Sequence, residues 1–234
     1  MRIEQFLDLI FPKRCGVCDQ VLLYGERQIC EICKRNIKYI GNQVCFRCGK
    51  PVREEEEYCY DCGRRKHYFD QGRSVFSYEY IRLSLYRFKY AGRKEYASFY
   101  ARNIQHELKE VCKIWKPQAL VPVPLHPKKQ RKRGYNQAEE IAKELSKLWK
   151  IPVRSDLIKR CKNTRPMKEI VGTERQNNLK KAFKLGTNDV KLNTIIIIDD
   201  IYTTGSTIDA VAKVCREAGI SHIYFITVSI GNGL

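Results

Sequence analysis

No apolar stretch of the 234-residue sequence approaches the roughly 18 residues needed to cross a bilayer, so membrane insertion is not expected. The nearest N-terminal run, Phe6 to Phe11, is interrupted by Asp8 and followed by Pro12 and Lys13, which does not make a secretory leader. Low-complexity tracts are missing, and hydrophobic residues at 43% exclude wholesale disorder and a fibrous repeat. Acidic residues are scarce: 26 Asp+Glu face 44 Lys+Arg, for a formal charge of +18. A cytoplasmic location is expected, where thiols stay reduced, and the 11 cysteines therefore read as metal ligands before disulfides.

Charge and cysteine separate along the chain. Residues 1–72 hold 13 Lys+Arg and 11 Asp+Glu, whereas residues 73–234 hold 31 and 15. Eight of the 11 cysteines precede Gly63. This shift predicts two domains, residues 1–70 and 71–234, divided in the basic stretch after Cys62.

Within the first, four CxxC pairs recur: Cys15/Cys18, Cys30/Cys33, Cys45/Cys48 and Cys59/Cys62. Each pair presents two thiolates on one tight knuckle, and Zn²⁺ takes four ligands tetrahedrally, so four pairs predict two closed structural sites. Sequential pairing (15/18/30/33, then 45/48/59/62) is the simplest, but a cross-braced scheme joining 15/18 to 45/48 fits the spacing nearly as well. So short a segment has few apolar residues, and metal binding should supply most of its folding energy. Cys112, Cys161 and Cys215 are isolated and read as ordinary core or surface thiols.

In the second domain, the run Thr194 to Ile198 predicts a parallel strand buried on both faces, ending in Asp199-Asp200. A hydroxyl-rich loop, Thr203-Thr204-Gly205-Ser206-Thr207, then leads into a helical pattern that Gly219 closes. Backbone N–H groups at that helix start, with the loop hydroxyls, suit a phosphate monoester. The carboxylates repel a phosphate and are placed instead for sugar hydroxyls. The Gly-Lys-[Ser/Thr] ending of a Walker loop is missing. Upstream, Val121-Pro-Val-Pro-Leu-His126 reads as a short strand and turn. A dense basic loop follows, with Lys128, Lys129, Arg131, Lys132 and Arg133 just before a helix bearing Ala138, Ile141, Ala142, Leu145 and Leu148 on one face. Beside a phosphate loop, these cations suit a pyrophosphate, and Arg133-Gly134 offers both a guanidinium and backbone donors.

The Asp-Asp-x-x-Thr-Thr-Gly-x-Thr string resembles the 5-phosphoribosyl-1-pyrophosphate (PRPP) motif of type I phosphoribosyltransferases. The resemblance implies that Thr203, Thr204, Gly205, Ser206 and Thr207 hold the 5-phosphate and that Asp199 and Asp200 contact the ribose hydroxyls. More narrowly, Phe11-Pro-x-x-Cys-x-x-Cys, Phe88-Lys-Tyr-x-Gly-Arg93, Val121-Pro-Val-Pro-Leu-His126, Arg133-Gly-Tyr-Asn-Gln137 and the Asp199 loop occur in this order. The whole chain is similar to the ComF (competence protein F, ComFC/GntX) family.

That resemblance implies an α/β type I phosphoribosyltransferase fold, a parallel sheet flanked by helices, preceded by a double zinc ribbon. It implies PRPP bound with Mg²⁺, and a pyrophosphate loop that includes His126, Arg131, Arg133, Gly134, Tyr135 and Asn136. A mobile loop carrying Arg165, Lys168 and Arg175 would lie over the site. The role implied is natural transformation, acting on single-stranded DNA after uptake, with a DNA-uptake helicase or processing proteins as partners. Two positions depart from the pattern. Thr203 stands where purine enzymes carry an Asp, and Met167 stands where Gln is expected, so a PRPP- or nucleic-acid-binding accessory without turnover is the alternative reading. A zinc-ribbon adaptor on an inert scaffold is a third.

Residues 73–100 interleave aromatics with basic residues, a pattern shared by non-specific single-strand binders. Most of these rings are expected in the core, with Val75 to Tyr80 as a strand. Lys89, Tyr90 and Arg93 are the candidates for nucleic-acid or accessory contacts.

Overall fold

The computed structural model describes residues 12–23, 25–26, 28–161, 182–187 and 190–231. Along these run α1 (Glu31–Arg35), α2 (Tyr60–Arg64), β1 (Gln71–Ser77), α3 (Tyr78–Tyr90), α4 (Tyr96–Trp115), β2 (Ala119–Pro122), α5 (Pro127–Arg133), α6 (Gln137–Trp149), β3 (Ile158–Arg160), β4 (Phe183–Leu185), β5 (Thr194–Tyr202), α7 (Ser206–Glu217) and β6 (His222–Ile230). The sheet has the order β1-β6-β5-β2, with every pairing parallel. β3 and β4 form a separate antiparallel pair.

The run Ile195 to Ile198 of β5 organises both cores. All four are buried, and successive strand side chains point to opposite faces. Ile195 and Ile197 pack with Ile208, Val211, Ala212 and Cys215 of α7, while Ile196 and Ile198 pack with residues of α3, α4 and α6. The α/β class is as expected, and α6 buries Ala138, Ile141, Ala142 and Leu145, with Leu148 left at the margin.

The two ribbons lie on opposite faces of this sheet. Cys45, Cys48, Cys59 and Cys62 belong to the core on the α7 side. Val17, Ile29, Ile37 and Tyr39 pack against the core on the α3–α4 side. Between the ribbons the chain runs along edge strand β1, where Ile40 N–H donates to Val75 O at 2.9 Å and Gly72 N–H to Arg47 O at 2.7 Å. The otherwise open edge is thereby covered.

Two local expectations are corrected. The strand predicted over Val75 to Tyr80 stops at Ser77, whose hydroxyl accepts from Tyr80 N–H at 3.4 Å and caps α3. The predicted basic loop is a helix, α5. His126 caps its start, Pro127 occupies its first turn, and Gly134 closes it with φ 86°.

Candidate functional site

The carboxyl ends of β2 and β5 lie side by side, joined by Val123 N–H donating to Ile198 O at 2.9 Å. Open α/β sheets bind ligands at such ends. Asp199 and Asp200 lie near the end of β5, which runs past the expected acid-pair terminus to Tyr202, and Asp200 N–H donates to Asp199 Oδ1 at 2.9 Å. Asp199 keeps some open surface, but it is packed deeply enough that burial, and then the neighbouring Asp200 charge, push its carboxyl up to about 7. Asp200 instead has a cation of its own: Lys89 Nζ, from the end of α3, lies 2.7 Å from Asp200 Oδ2, with both side chains largely buried.

The loop after Tyr202 turns on Gly205, at φ 76°. A Cβ there would meet the Tyr202 hydroxyl at 2.6 Å, so both the backbone conformation and the space require glycine. No side chain caps α7, which leaves its first-turn N–H groups directed out of the helix end. Thr204 and Ser206 hydroxyls sit 2.9 Å apart beside them. Amides, hydroxyls and a close backbone approach make this an anion cradle.

Across the mouth, the α5 residues divide by role. Desolvation and the charges of Arg160, Lys128, Lys129 and Arg131 hold the His126 imidazolium below its usual range. Burial, followed by Arg160 and Arg133, lowers Lys129. These effects mark one cationic neighbourhood, to which Arg131 contributes an exposed side chain. Gly134 N–H donates to Gln130 O at 2.8 Å in capping α5, so the guanidinium of Arg133 is what this corner offers. Tyr135 and Asn136 turn inward. The Tyr135 hydroxyl donates to Phe88 O, and Asn136 Nδ2 donates to Val123 O at 3.0 Å, tying the loop to α3 and β2.

Of the accessory trio, only Lys89 reaches the acid pair. Arg93 Nε lies 3.1 Å from Asp19 Oδ1 and anchors the first ribbon. Tyr90 is exposed, with the Arg133 guanidinium 5.1 Å from its ring centre. Arg165, Lys168 and Arg175 lie outside the described residues. Two participants escaped the sequence reading. Arg160 of β3 is close enough for its charge to oppose part of the rise at Asp199, yet it belongs to no motif. His67 follows Cys62 by five residues with no partner evident in sequence, but its Nε2 lies 3.6 Å from Cys62 Sγ.

The cysteine pairs close sequentially. Cys15, Cys18, Cys30 and Cys33 form one cluster and Cys45, Cys48, Cys59 and Cys62 the other, with all sulfurs of each within 4.8 Å of one another. Hydrogen bonds from Cys48 and Cys62 hold the Cys45 thiol far below its usual range, and the same contacts push those two up. Four converging sulfurs, largely buried, fit a tetrahedral Zn²⁺ in each site. Among the described residues, no helix is long and apolar enough to cross a membrane.

A parallel sheet with an acid pair and anion loop at its carboxyl edge, joined to two thiolate tetrads, defines a phosphoribosyltransferase-type domain carrying a double zinc ribbon. Family comparison agrees: the double zinc ribbon domain matches residues 6–63 and the phosphoribosyl transferase domain residues 130–231. The chain belongs to the ComF competence protein family. It is 30% identical to competence protein ComFC of Bacillus subtilis, over 85% of this chain and 82% of that one. It is 29% identical to competence protein F of Haemophilus influenzae, over 91% and 95%, and 26% identical to DNA utilization protein YhgH of Escherichia coli K12, over 92% and 96%.

Proposed function

We propose that the protein binds PRPP together with Mg²⁺ at the β5–α7 edge and acts in DNA uptake, handling single-stranded DNA in the cytoplasm. The observation that carries the PRPP reading is the Asp199-Asp200 pair standing directly before an uncapped helix start that turns on Gly205. Thr203 to Thr207 would take the 5-phosphate and the acid pair the ribose hydroxyls. Arg131, Arg133 and the neighbouring Lys129 and Arg160 would face the pyrophosphate. The chemistry this supports is displacement of pyrophosphate at the anomeric carbon, with the leaving charge spread over fixed cations. Asp199 and Asp200 would also help hold Mg²⁺, which would supply Lewis-acid stabilisation of the leaving charge. Lys89 then holds the charge of Asp200, so that one acid of the pair is already neutralised. The names of the relatives, two of competence proteins and one of a DNA utilization protein, support the DNA-uptake role, with helicase or processing proteins as partners.

Binding without turnover is favoured by two departures, Thr203 and Met167, the second of which lies outside the described residues. Thr203 stands where purine enzymes place a carboxylate, and a hydroxyl is a poor base toward a nucleobase. We also take residues 1–70 and 71–234 as the two units of the chain.

Calorimetry with PRPP and Mg²⁺ tests the first reading. Heat from the native protein and none from Asp199→Ala/Asp200→Ala is the expected pair of results. A native protein without PRPP heat overturns it. Pyrophosphate release in the presence of single-stranded DNA or nucleobases separates turnover from binding.

A further inference from the structure

Helix α3 is amphipathic in an unusual way. Its inner face buries Ile81, Ser84, Leu85 and Phe88, as a packed helix should. Its outer face does not revert to charge alone: Leu83, Tyr86 and Tyr90 stand 59%, 61% and 65% exposed. Tyr86 and Tyr90 are one helical turn apart, with ring centres at 5.1 Å, and Arg133 lies 5.1 Å from the Tyr90 ring on α5. The result is a continuous row of flat groups, Tyr86–Tyr90–Arg133. Exposed Arg82 lies one helical turn before Tyr86, and α5, which carries Arg133, also exposes Lys128, Arg131 and Lys132. On the outer face of α3 the acid is Glu79, a full turn beyond Leu83 and away from the α5 cations.

We propose that Tyr86 and Tyr90 form a base-stacking platform for single-stranded nucleic acid whose phosphates run along the α5 cations toward the Asp199–Asp200 mouth. The proposal rests on the single-strand reading above and gives it an address. A strand of this chemistry needs what the two helices combine: aromatic faces on α3 that accept any base, and exposed cations on the adjoining α5 for its phosphates. A duplex has its bases already stacked on one another and presents no free faces to tyrosines. An apolar protein partner would leave the α5 charges unanswered.

Fluorescence anisotropy with a labelled oligothymidylate tests it, using the full zinc-loaded chain. Tyr86→Ala/Tyr90→Ala should weaken binding at least about tenfold, the loss expected for one or two lost base stacks, with the salt dependence unchanged. Tyr86→Phe/Tyr90→Phe should restore it. Lys128→Ala/Lys132→Ala should instead flatten the dependence of log affinity on log salt. Both tyrosines are exposed, so melting temperature and zinc content should match the native protein in every variant. Native affinity in the double alanine variant overturns the platform while leaving the single-strand reading standing. A native protein that binds no strand overturns both. Sedimentation adds one further outcome: self-association of the native protein, lost in the alanine variant, would make the row an interface between copies and overturn the proposal.

Discussion

His67 Nδ1 lies 2.7 Å from Asp209 Oδ2, and its other ring nitrogen lies 3.6 Å from Cys62 Sγ. One imidazole thus ties the second cysteine tetrad to the first turns of α7, the helix whose start forms the anion cradle. Asp209 also accepts from Tyr68 N–H at 3.0 Å, and His67 stacks on Phe69 at 4.6 Å. Replacing Asp209 leaves the nearly enclosed His67 ring without this partner, and replacing His67 leaves Asp209 with the Tyr68 N–H alone. His67→Ala and Asp209→Ala should each lower the unfolding free energy by about 1–3 kcal/mol, and the double variant by clearly less than the sum. Thermal or urea melts of the four proteins measure the coupling.

Zinc removal should reach beyond the ribbons. Because Cys45, Cys48, Cys59 and Cys62 share a core with Phe225, Ile197 and Val211, opening that tetrad exposes the α7 face of the sheet. Metal analysis should find two zinc ions per chain, and Cys45→Ser should lose one of them. Its circular dichroism melt should broaden and shift downward, as should that of the native protein treated with a strong chelator.

Gly205→Ala combines two penalties. The side chain must occupy φ 76° and displace the Tyr202 hydroxyl, which would lie 2.6 Å from the new Cβ. The expected cost is on the order of 1–3 kcal/mol. PRPP heat should vanish even where the variant remains folded, because the loop must move to make room. Calorimetry on folded Gly205→Ala checks this.

Asp199 gives a pH signature. Its folded pKa, about 7, stands above the usual carboxylate value, so the folded protein holds this proton where the unfolded chain has released it. The contribution of this group to stability is therefore full below about pH 4 and is lost progressively as pH rises toward 7. Asp199→Asn, which mimics the protonated form, should be more stable than the native protein at pH 8, by on the order of 2 kcal/mol. The difference should close by pH 4. Urea melts across this range measure it, and a constant gap would assign the effect elsewhere.

Much of the molecule was legible from local pattern. CxxC knuckles, a run of four isoleucines, an acid pair and a glycine-turned hydroxyl loop each depend on residues within a few positions of one another, and short-range geometry suffices to shape them. The basic run was read correctly as a cation cluster but not as a helix. Its caps, His126 and Gly134, flank only seven residues, none of them buried, so the segment carries no apolar period from which a helix could be read. Arg93 and Lys89 looked equivalent, four residues apart in one aromatic and basic segment. Tertiary packing sends Lys89 to Asp200 and Arg93 to Asp19 of the first ribbon.

Two metal tetrads, a doubly buried parallel strand and an anion loop follow from short runs of neighbouring residues. Which thiols share a metal, the placing of the ribbons on opposite faces of one sheet, and the partners reached by Arg160, Lys89 and His67 depend on how the chain packs. The division has a physical cause. A knuckle or a capped turn is specified by covalent neighbours, whereas packing brings Lys89 to Asp200 and His67 to Asp209 across more than a hundred positions and carries Arg160 toward Asp199 from the separate β3–β4 pair.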